Sequence, residues 1–281
     1  MEFDHAWRQW LTENLIRGCQ PEQLVQTLLQ HGFSLASIKA EMKGNFPNMP
    51  FAVLNHSNKG IDKADQNVDF QQLANVAITQ NANAQQLQTQ NAQLYILPDF
   101  MSAEECQQTI DLMNKKLRPS EVTVFNGDNA FRTSTTCDLG FQDSEFIVEL
   151  DNKIADTLGI PVSYSEIIQG QKYQIGQEFK AHTDYFEPNS DEYNKFASEL
   201  GQRTWTFMVY LNDTEQGGQT HFTRLGAEFS PKRGTAVIWN NLKANGEVNF
   251  QTIHHAKPVE QGEKYVITKW FRTKQNPHLS G

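Results

Sequence analysis

From residue 164 onward the chain breaks into short segments rich in Val, Ile, Phe, Tyr, Trp and Thr, separated by Gly, Asn and Asp: residues 164–168, 173–175, 204–211, 220–223, 235–239, 248–254 and 265–271. β-Branched and aromatic side chains suit a pleated surface, and the intervening residues suit turns, so each segment reads as a strand. Many short strands at this spacing predict a sandwich, jelly roll or barrel rather than a parallel α/β sheet.

Helices precede the strands. Ser102 with Glu105 three residues later forms a capping-box pattern ahead of an apolar face of Cys106, Ile110, Leu112 and Met113, and a strand at 94–97 leads into it. A second helix is expected over about 144–158, ended by Gly159. The fold class is therefore α+β, mainly β, with helices flanking the strands. Near the start, Trp7, Trp10, Leu11 and Leu15 recur at helical spacing, as do Leu24, Val25, Leu28 and Leu29 after Pro21. Gly32 marks an end, and Ser34 can cap a third helix carrying Ile38 and Met42. Residues 1–45 thus form a small helical module, either a docking or dimerisation surface or an accessory layer on the main domain. Residues 46–93 read as an Asn/Gln-rich linker with partial helix, since the tract Gln80-Asn81-Ala82-Asn83-Ala84-Gln85-Gln86 can bury little apolar area to offset ordering entropy. Residues 94–281 form the main domain.

Composition excludes several functions. With 24 basic and 33 acidic residues the net charge is −9, which repels a phosphate backbone, and the one dense basic run, Asn114-Lys115-Lys116-Leu117-Arg118, reads as the solvated end of a helix. No nucleic-acid partner is expected. No segment approaches the roughly 20 apolar residues of a membrane span. Met1-Glu2-Phe3-Asp4-His5 lacks a secretory layout, so a cytoplasmic protein is expected. Cys19, Cys106 and Cys137 are too far apart for a metal clip and odd in number, and read as packed or idle thiols.

The chemistry is concentrated in Tyr173-Gln174-Ile175-Gly176-Gln177-Glu178-Phe179-Lys180-Ala181-His182-Thr183-Asp184-Tyr185-Phe186. His182 and Asp184 are two apart, so on an extended backbone they emerge on the same side and can reach one ion. A third ligand is available in Thr252-Ile253-His254-His255-Ala256-Lys257-Pro258-Val259. Two His and one carboxylate with open positions make the facial triad of non-haem Fe(II) oxygenases. Lys264 opens a strand of apolar and aromatic type, where an inward cation would be expensive to desolvate without an anion. Charge balance makes 2-oxoglutarate a good candidate: Fe(II) with one Asp carries about +1, Lys264 adds one, and the dianion cancels both.

These residues resemble the prolyl 4-hydroxylase-like branch of the Fe(II)/2-oxoglutarate dioxygenases, over about residues 94–272. The likeness is carried by Leu97-Pro98-Asp99-Phe100-Met101-Ser102, by Phe131-Arg132-Thr133-Ser134, by the 176–186 segment, by Gly201-Gln202-Arg203, by Gly217-Gly218-Gln219-Thr220, and by His254, Pro258, Gly262, Lys264 and Trp270. The resemblance implies a double-stranded β-helix (jelly roll) and Fe(II) ligands His182, Asp184 and His254. It also implies a 2-oxoglutarate site at Lys264 with Thr220 and Tyr173, and substrate contacts from Arg132, Arg203 and Trp270. Dioxygen is the second co-substrate and ascorbate the reductant; the implied products are succinate, carbon dioxide and a hydroxylated substrate. Strand alternation turns His255 away from His254 and His221 away from Thr220, so both are expected to be structural, and Trp205 and Trp239 are expected in the core.

The expected reaction is hydroxylation of a prolyl residue in a protein or peptide. One departure bears on the substrate: Phe179 stands where several proline hydroxylases of the family have a tyrosine, leaving an apolar wall that cannot hydrogen-bond. That keeps open a free amino acid, another side chain or a metabolite as substrate. A catalytically silent jelly-roll binding module is the reading from another class, disfavoured by the intact set of His182, Asp184, His254 and Lys264.

Overall fold

A computed structural model describes residues 3–16, 21–46, 69–120, 132–140, 143–188 and 190–276. Alternation along the long strands builds the molecule. In β7 (Arg203–Tyr210), Trp205, Phe207 and Val209 point to one face while Thr206, Met208 and Tyr210 point to the other, and β14 (Lys264–Arg272) and β11 (Ala236–Asn240) divide in the same way. The first face packs on two helices, α5 (Ala103–Asn114) and α6 (Glu145–Leu158), through Cys106, Met113, Ile147, Leu150, Ile154 and Leu158. The second face closes the barrel interior.

Those strands belong to an eight-stranded sheet ordered β1-β2-β11-β7-β14-β5-β4-β3, with β1 (Gln85–Gln86), β2 (Leu94–Leu97), β3 (Arg118–Pro119), β4 (Thr135–Leu139) and β5 (Ile168–Tyr173). Facing it is a four-stranded sheet ordered β10-β9-β12-β6, made of β6 (Phe179–His182), β9 (Thr220–Phe222), β10 (Ala227–Phe229) and β12 (His254–Ala256). A small pair, β8 (Gln216–Gly217) with β13 (Val259–Gln261), adds a third piece. The named strands pair antiparallel throughout. Two facing antiparallel sheets with helices on the outer face of the larger one are the expected α+β, mainly β jelly roll. α5 approaches so closely that a Cβ on Gly170 would lie 2.9 Å from Met113 and from the Cys137 sulfur, so only glycine fits there.

The helix signals hold. Ser102 and Glu105 form a reciprocal capping box, and α6 runs from the Ser144 cap to Gly159, which takes the left-handed conformation. Cys106 and Cys137 are buried free thiols, and burial pushes each up to about 11; Cys19 lies outside the described residues. No helix among the described residues is long and apolar enough to cross a membrane.

Two strand boundaries differ from expectation. Strands were expected at 164–168 and 173–175, but β5 occupies the stretch between them, Ile168–Tyr173. Its Gln169, Gly170, Gln171 and Lys172 gave no apolar signal, because Gln171 faces a polar region of the interior and Gly170 makes room for α5. The expected strand at 248–254 is instead a 3-10 turn, Phe250–Thr252, followed by β12 from His254. Asn249 caps that turn by accepting from the Gln251 amide.

In the segment expected as linker, residues 47–68 lie outside the described residues. The remainder packs on the main body: α4 (Phe70–Ala74) offers the Leu73 carbonyl to the Trp205 indole at 2.7 Å, Val76 and Ile78 enter the helix-side core, and β1 extends the large sheet. The three expected amino-terminal helices are present as α1 (His5–Ile16), α2 (Pro21–Gln30) and α3 (Leu35–Met42). They share a core with the small sheet: Trp7, Trp10, Leu24, Leu28 and Ile38 cluster with Ala181, Phe250 and Ile253. α7 (Asp191–Phe196), capped by Ser190, completes the elements.

Candidate active site

β6 and β12 are neighbours in the small sheet, with His182 directly opposite His254. Asp184 follows two residues after His182 and turns inward, so that the three side chains converge with their ligand atoms within 4.8 Å of one another. Nε2 of His182 is 3.7 Å from Asp184 Oδ1, and Nε2 of His254 is 3.9 Å from the same oxygen. Both rings are oriented from behind. Nδ1 of His182 lies 2.8 Å from the Lys180 carbonyl and Nδ1 of His254 lies 3.0 Å from the Thr252 carbonyl, which places the proton on Nδ1 and the lone pair on Nε2. The second carboxylate oxygen of Asp184 accepts from the Thr206 hydroxyl at 2.7 Å, and Thr206 accepts from the Asn241 amide at 2.8 Å. This chain ties the carboxylate to the large sheet. Two imidazole lone pairs and one anionic oxygen around a common point suit a divalent transition metal, and Fe(II) fits the donor set.

Aromatic rings wall the three groups in. Phe179 stacks on His182 with ring centres 3.5 Å apart, while Trp239 and Phe222 pack on His254 at 4.8 and 5.4 Å. Trp205 sits in the helix-side core as expected; Trp239 is also buried, but it lies against His254.

Lys264 begins β14 opposite Tyr173 and is 1% exposed. Its ammonium lies over the rings of Tyr173 at 4.9 Å and Tyr210 at 5.6 Å. No carboxylate opposes its burial among the described residues, and desolvation alone pushes it down to about 7 from an ordinary value near 10.5. Thr220 joins this corner through the Tyr210 hydroxyl, which donates to its oxygen at 2.6 Å. The Tyr173 hydroxyl donates to Gln171 at 2.7 Å. A buried ammonium ringed by hydroxyls and aromatic faces has the chemistry to hold an anion.

The three residues expected to contact substrate occupy different situations. The Arg132 guanidinium stands 4.9 Å over the Phe179 ring and donates to Gln169 at 2.8 Å. Its backbone bridges to Phe179, and Thr133 exchanges hydrogen bonds with Glu178, so this segment is fastened to the start of β6; Phe131 lies outside the described residues. Arg203 is held by a two-pronged pair to Glu166 at 2.6 and 2.7 Å, lies 4.0 Å over Trp270, and donates to the Asp184 carbonyl at 3.3 Å. The Trp270 indole nitrogen is buried and lacks a hydrogen-bond partner.

His255 turns outward, as alternation requires, and pairs with Glu178 at 2.8 Å; His221 is its cross-strand neighbour on that outer side. Sequence reasoning missed Glu166, Thr206 and Asn241. Glu166 carried a usable signal, a carboxylate beside Ile167 and Ile168 that needed a cation, whereas Thr206 and Asn241 are ordinary residues whose role comes from position. A surface groove of about 560 Å³ beside Ser102, Lys153 and Arg233 holds none of the candidate residues.

Comparison with known proteins agrees with this geometry. The family model for the 2OG-Fe(II) oxygenase superfamily matches residues 168–272. Prolyl 4-hydroxylase 13 of Arabidopsis thaliana is 31% identical over 201 residues, 65% of this chain and 72% of that protein. Prolyl 4-hydroxylase subunit alpha-1 of Homo sapiens is 34% identical over 179 residues, covering 62% of this chain and 33% of the human subunit. Among solved structures, the viral collagen prolyl hydroxylase of Paramecium Bursaria Chlorella virus-1, in its 2OG complex, superposes with a TM-score of 0.52 at 25% identity, over 64% of this chain and 95% of the viral one.

Proposed function

The chain belongs to the prolyl 4-hydroxylase family of 2OG-Fe(II) oxygenases, and we propose that it hydroxylates a prolyl residue in a protein or peptide, with Fe(II) on His182, Asp184 and His254 and the remote carboxylate of 2-oxoglutarate on Lys264. One observation carries this reading: three ligand atoms converge in the same interior that holds a buried ammonium opposed only by desolvation. Fe(II) with 2-oxoglutarate and dioxygen supplies the oxidising power that converts a substrate C–H to C–OH, and ascorbate serves as reductant.

The protein's own contribution is geometric and electrostatic. The Lys180 and Thr252 carbonyls hold the two imidazoles in the tautomer that presents Nε2. Thr206, itself held by Asn241, occupies one oxygen of Asp184 and leaves the other for the metal. Lys264 answers the co-substrate's charge, with Tyr173 and Thr220 as neighbouring hydroxyls, and so fixes which end of the ketoacid reaches the ligands. Phe179, Phe222 and Trp239 exclude water around the imidazoles.

For substrate, Trp270 contributes an indole ring stacked with the Arg203 guanidinium, its N–H buried. Arg132 overhangs Phe179 and forms an edge of the entrance. Arg203, with its prongs on Glu166, acts as a rigid wall under Trp270. Phe179 offers an apolar face on which a pyrrolidine ring can pack.

The test is mass spectrometry of a broad panel of proline-containing peptides incubated with the enzyme, Fe(II), 2-oxoglutarate and ascorbate, with succinate measured in parallel. A singly oxygenated proline with stoichiometric succinate is expected. Succinate release without any oxygenated peptide would sink the prolyl assignment, and no succinate under any condition would sink the assigned site.

A further inference from the structure

The amino-terminal helices pack against the strands and loop that carry all three ligands. Ala181 precedes His182 and Ile253 precedes His254; side chains of successive strand residues take opposite sides, so a ligand facing inward sets its neighbour facing outward. Both outward residues are buried, at 3% and 1% exposure, in the cluster formed with Trp7, Trp10, Leu24 and Leu28. Trp7 lies flat on Phe250, in the turn that leads into β12, with ring centres 3.8 Å apart and planes 22° apart. On α2, the Thr27 hydroxyl donates to Glu187 at 3.0 Å; Glu187 follows Asp184 by three residues, and both partners of this bond are buried. Arg224, which follows β9, pairs with Asp4 and lies over Trp7 and Phe250 at 5.1 and 5.3 Å.

The need for such support follows from the small sheet's dimensions. β12 has three residues and β6 four, and β6 is an edge strand, so few ladder hydrogen bonds hold either ligand in register. A relative shift of these strands would change the separation of the two Nε2 atoms directly. Apart from the Arg132 bridge and the Thr133 bonds at the start of β6, support must come from behind, and the helices supply that packing at both strands and at the Asp184 loop.

We propose that the amino-terminal helical module is a positioning element of the metal site, with Trp7 and Thr27 as its positioning residues, setting the affinity and coordination geometry for the divalent cation. This rests on the assignment of His182, Asp184 and His254 as ligands. It excludes a module that merely adds stability, because that would leave metal binding by the folded protein unchanged.

The experiment uses the full chain and Co(II) as the probe, with the dissociation constant from calorimetry and the geometry from the visible absorption of the bound ion. Trp7→Ala should weaken Co(II) binding about tenfold, the scale of losing support behind a ligand, and alter the visible bands. Trp7→Phe, which keeps a ring on Phe250, should restore both. Thr27→Val, which preserves shape and removes the bond to Glu187, should weaken binding about threefold. Reduced melting temperatures with parental affinity and bands would overturn the inference. If Trp7→Ala fails to fold, Thr27→Val decides it by the same measurements, parental affinity again overturning it. Absence of Co(II) binding by the parent would overturn the ligand assignment together with the inference, whereas parental binding unaffected by the substitutions overturns the inference alone.

Discussion

Two lysines on β14, five residues apart, are equally buried and meet opposite fates. Lys269, 0% exposed, points to the helix layer, where its ammonium sits 2.7 Å from Asp151 of α6 and 2.8 Å from the Glu166 carbonyl. Lys264, 1% exposed, points into the barrel and finds aromatic faces and, among the described residues, no carboxylate. An odd separation along a strand sends them to different sides of the sheet. The paired lysine fastens α6 to the large sheet. Its counterpart stores an electrostatic penalty that the proposed dianion would relieve, which would distinguish an ammonium kept for structure from one kept for a ligand.

The contrast is open to direct attack. Lys269→Met leaves the Asp151 carboxylate buried without its cation, and should lower stability by about 3–5 kcal/mol in denaturant unfolding while leaving the half-saturating 2-oxoglutarate concentration unchanged. Adding Asp151→Leu to that variant should recover most of the loss; no loss in the single variant would mean the pair does not hold the layers together. Lys264→Met should do the reverse. The protein without co-substrate should be no less stable, and the 2-oxoglutarate requirement should rise at least about 30-fold, because a buried carboxylate loses its partner. An unchanged requirement would place the anion elsewhere.

A further effect is a slope. The folded Lys264 gives up its proton near pH 7, whereas the unfolded chain holds it to about 10.5. Between those values the unfolded state binds more protons, so Lys264 makes the unfolding free energy rise with pH, approaching about 1.4 kcal/mol per pH unit; below pH 7 its penalty is complete. The difference in stability between parent and Lys264→Met should trace this rise, measured by urea unfolding from pH 6 to 10 without metal or co-substrate. A flat difference would show that the ammonium is solvated or paired in the folded protein.

The candidate ligands were legible because their chemistry is rare. A His-x-Asp pair, a distant His and a lysine in an aromatic strand stand out from composition; strand alternation allowed only one of His254 and His255 to face inward, and the offsets to Pro258 and Lys264 that carry the family resemblance chose His254. The capping box of Ser102 and Glu105 and the helix end at Gly159 were equally plain, since each depends on residues close in the chain. β5 was displaced because Gln169, Gln171 and Lys172 look like loop residues until an interior is present to receive the amides. For Arg203, expected at the substrate, spacing gave no sign of Glu166, which holds its Nε and Nη2.

Periodicity and rare side chains, being local properties, were enough for a sandwich, jelly roll or barrel, for the His182–Asp184 pair and for the lysine; resemblance to a family narrowed these to the jelly roll and to His254 as the third candidate ligand. The sequence left open whether the first helices were a docking surface or a layer on the body. That choice depended on Trp7 meeting Phe250 and Thr27 meeting Glu187, contacts between parts of the chain more than 150 residues apart. Shape complementarity at such distances has no signature in sequence spacing, and exists only once both surfaces have folded.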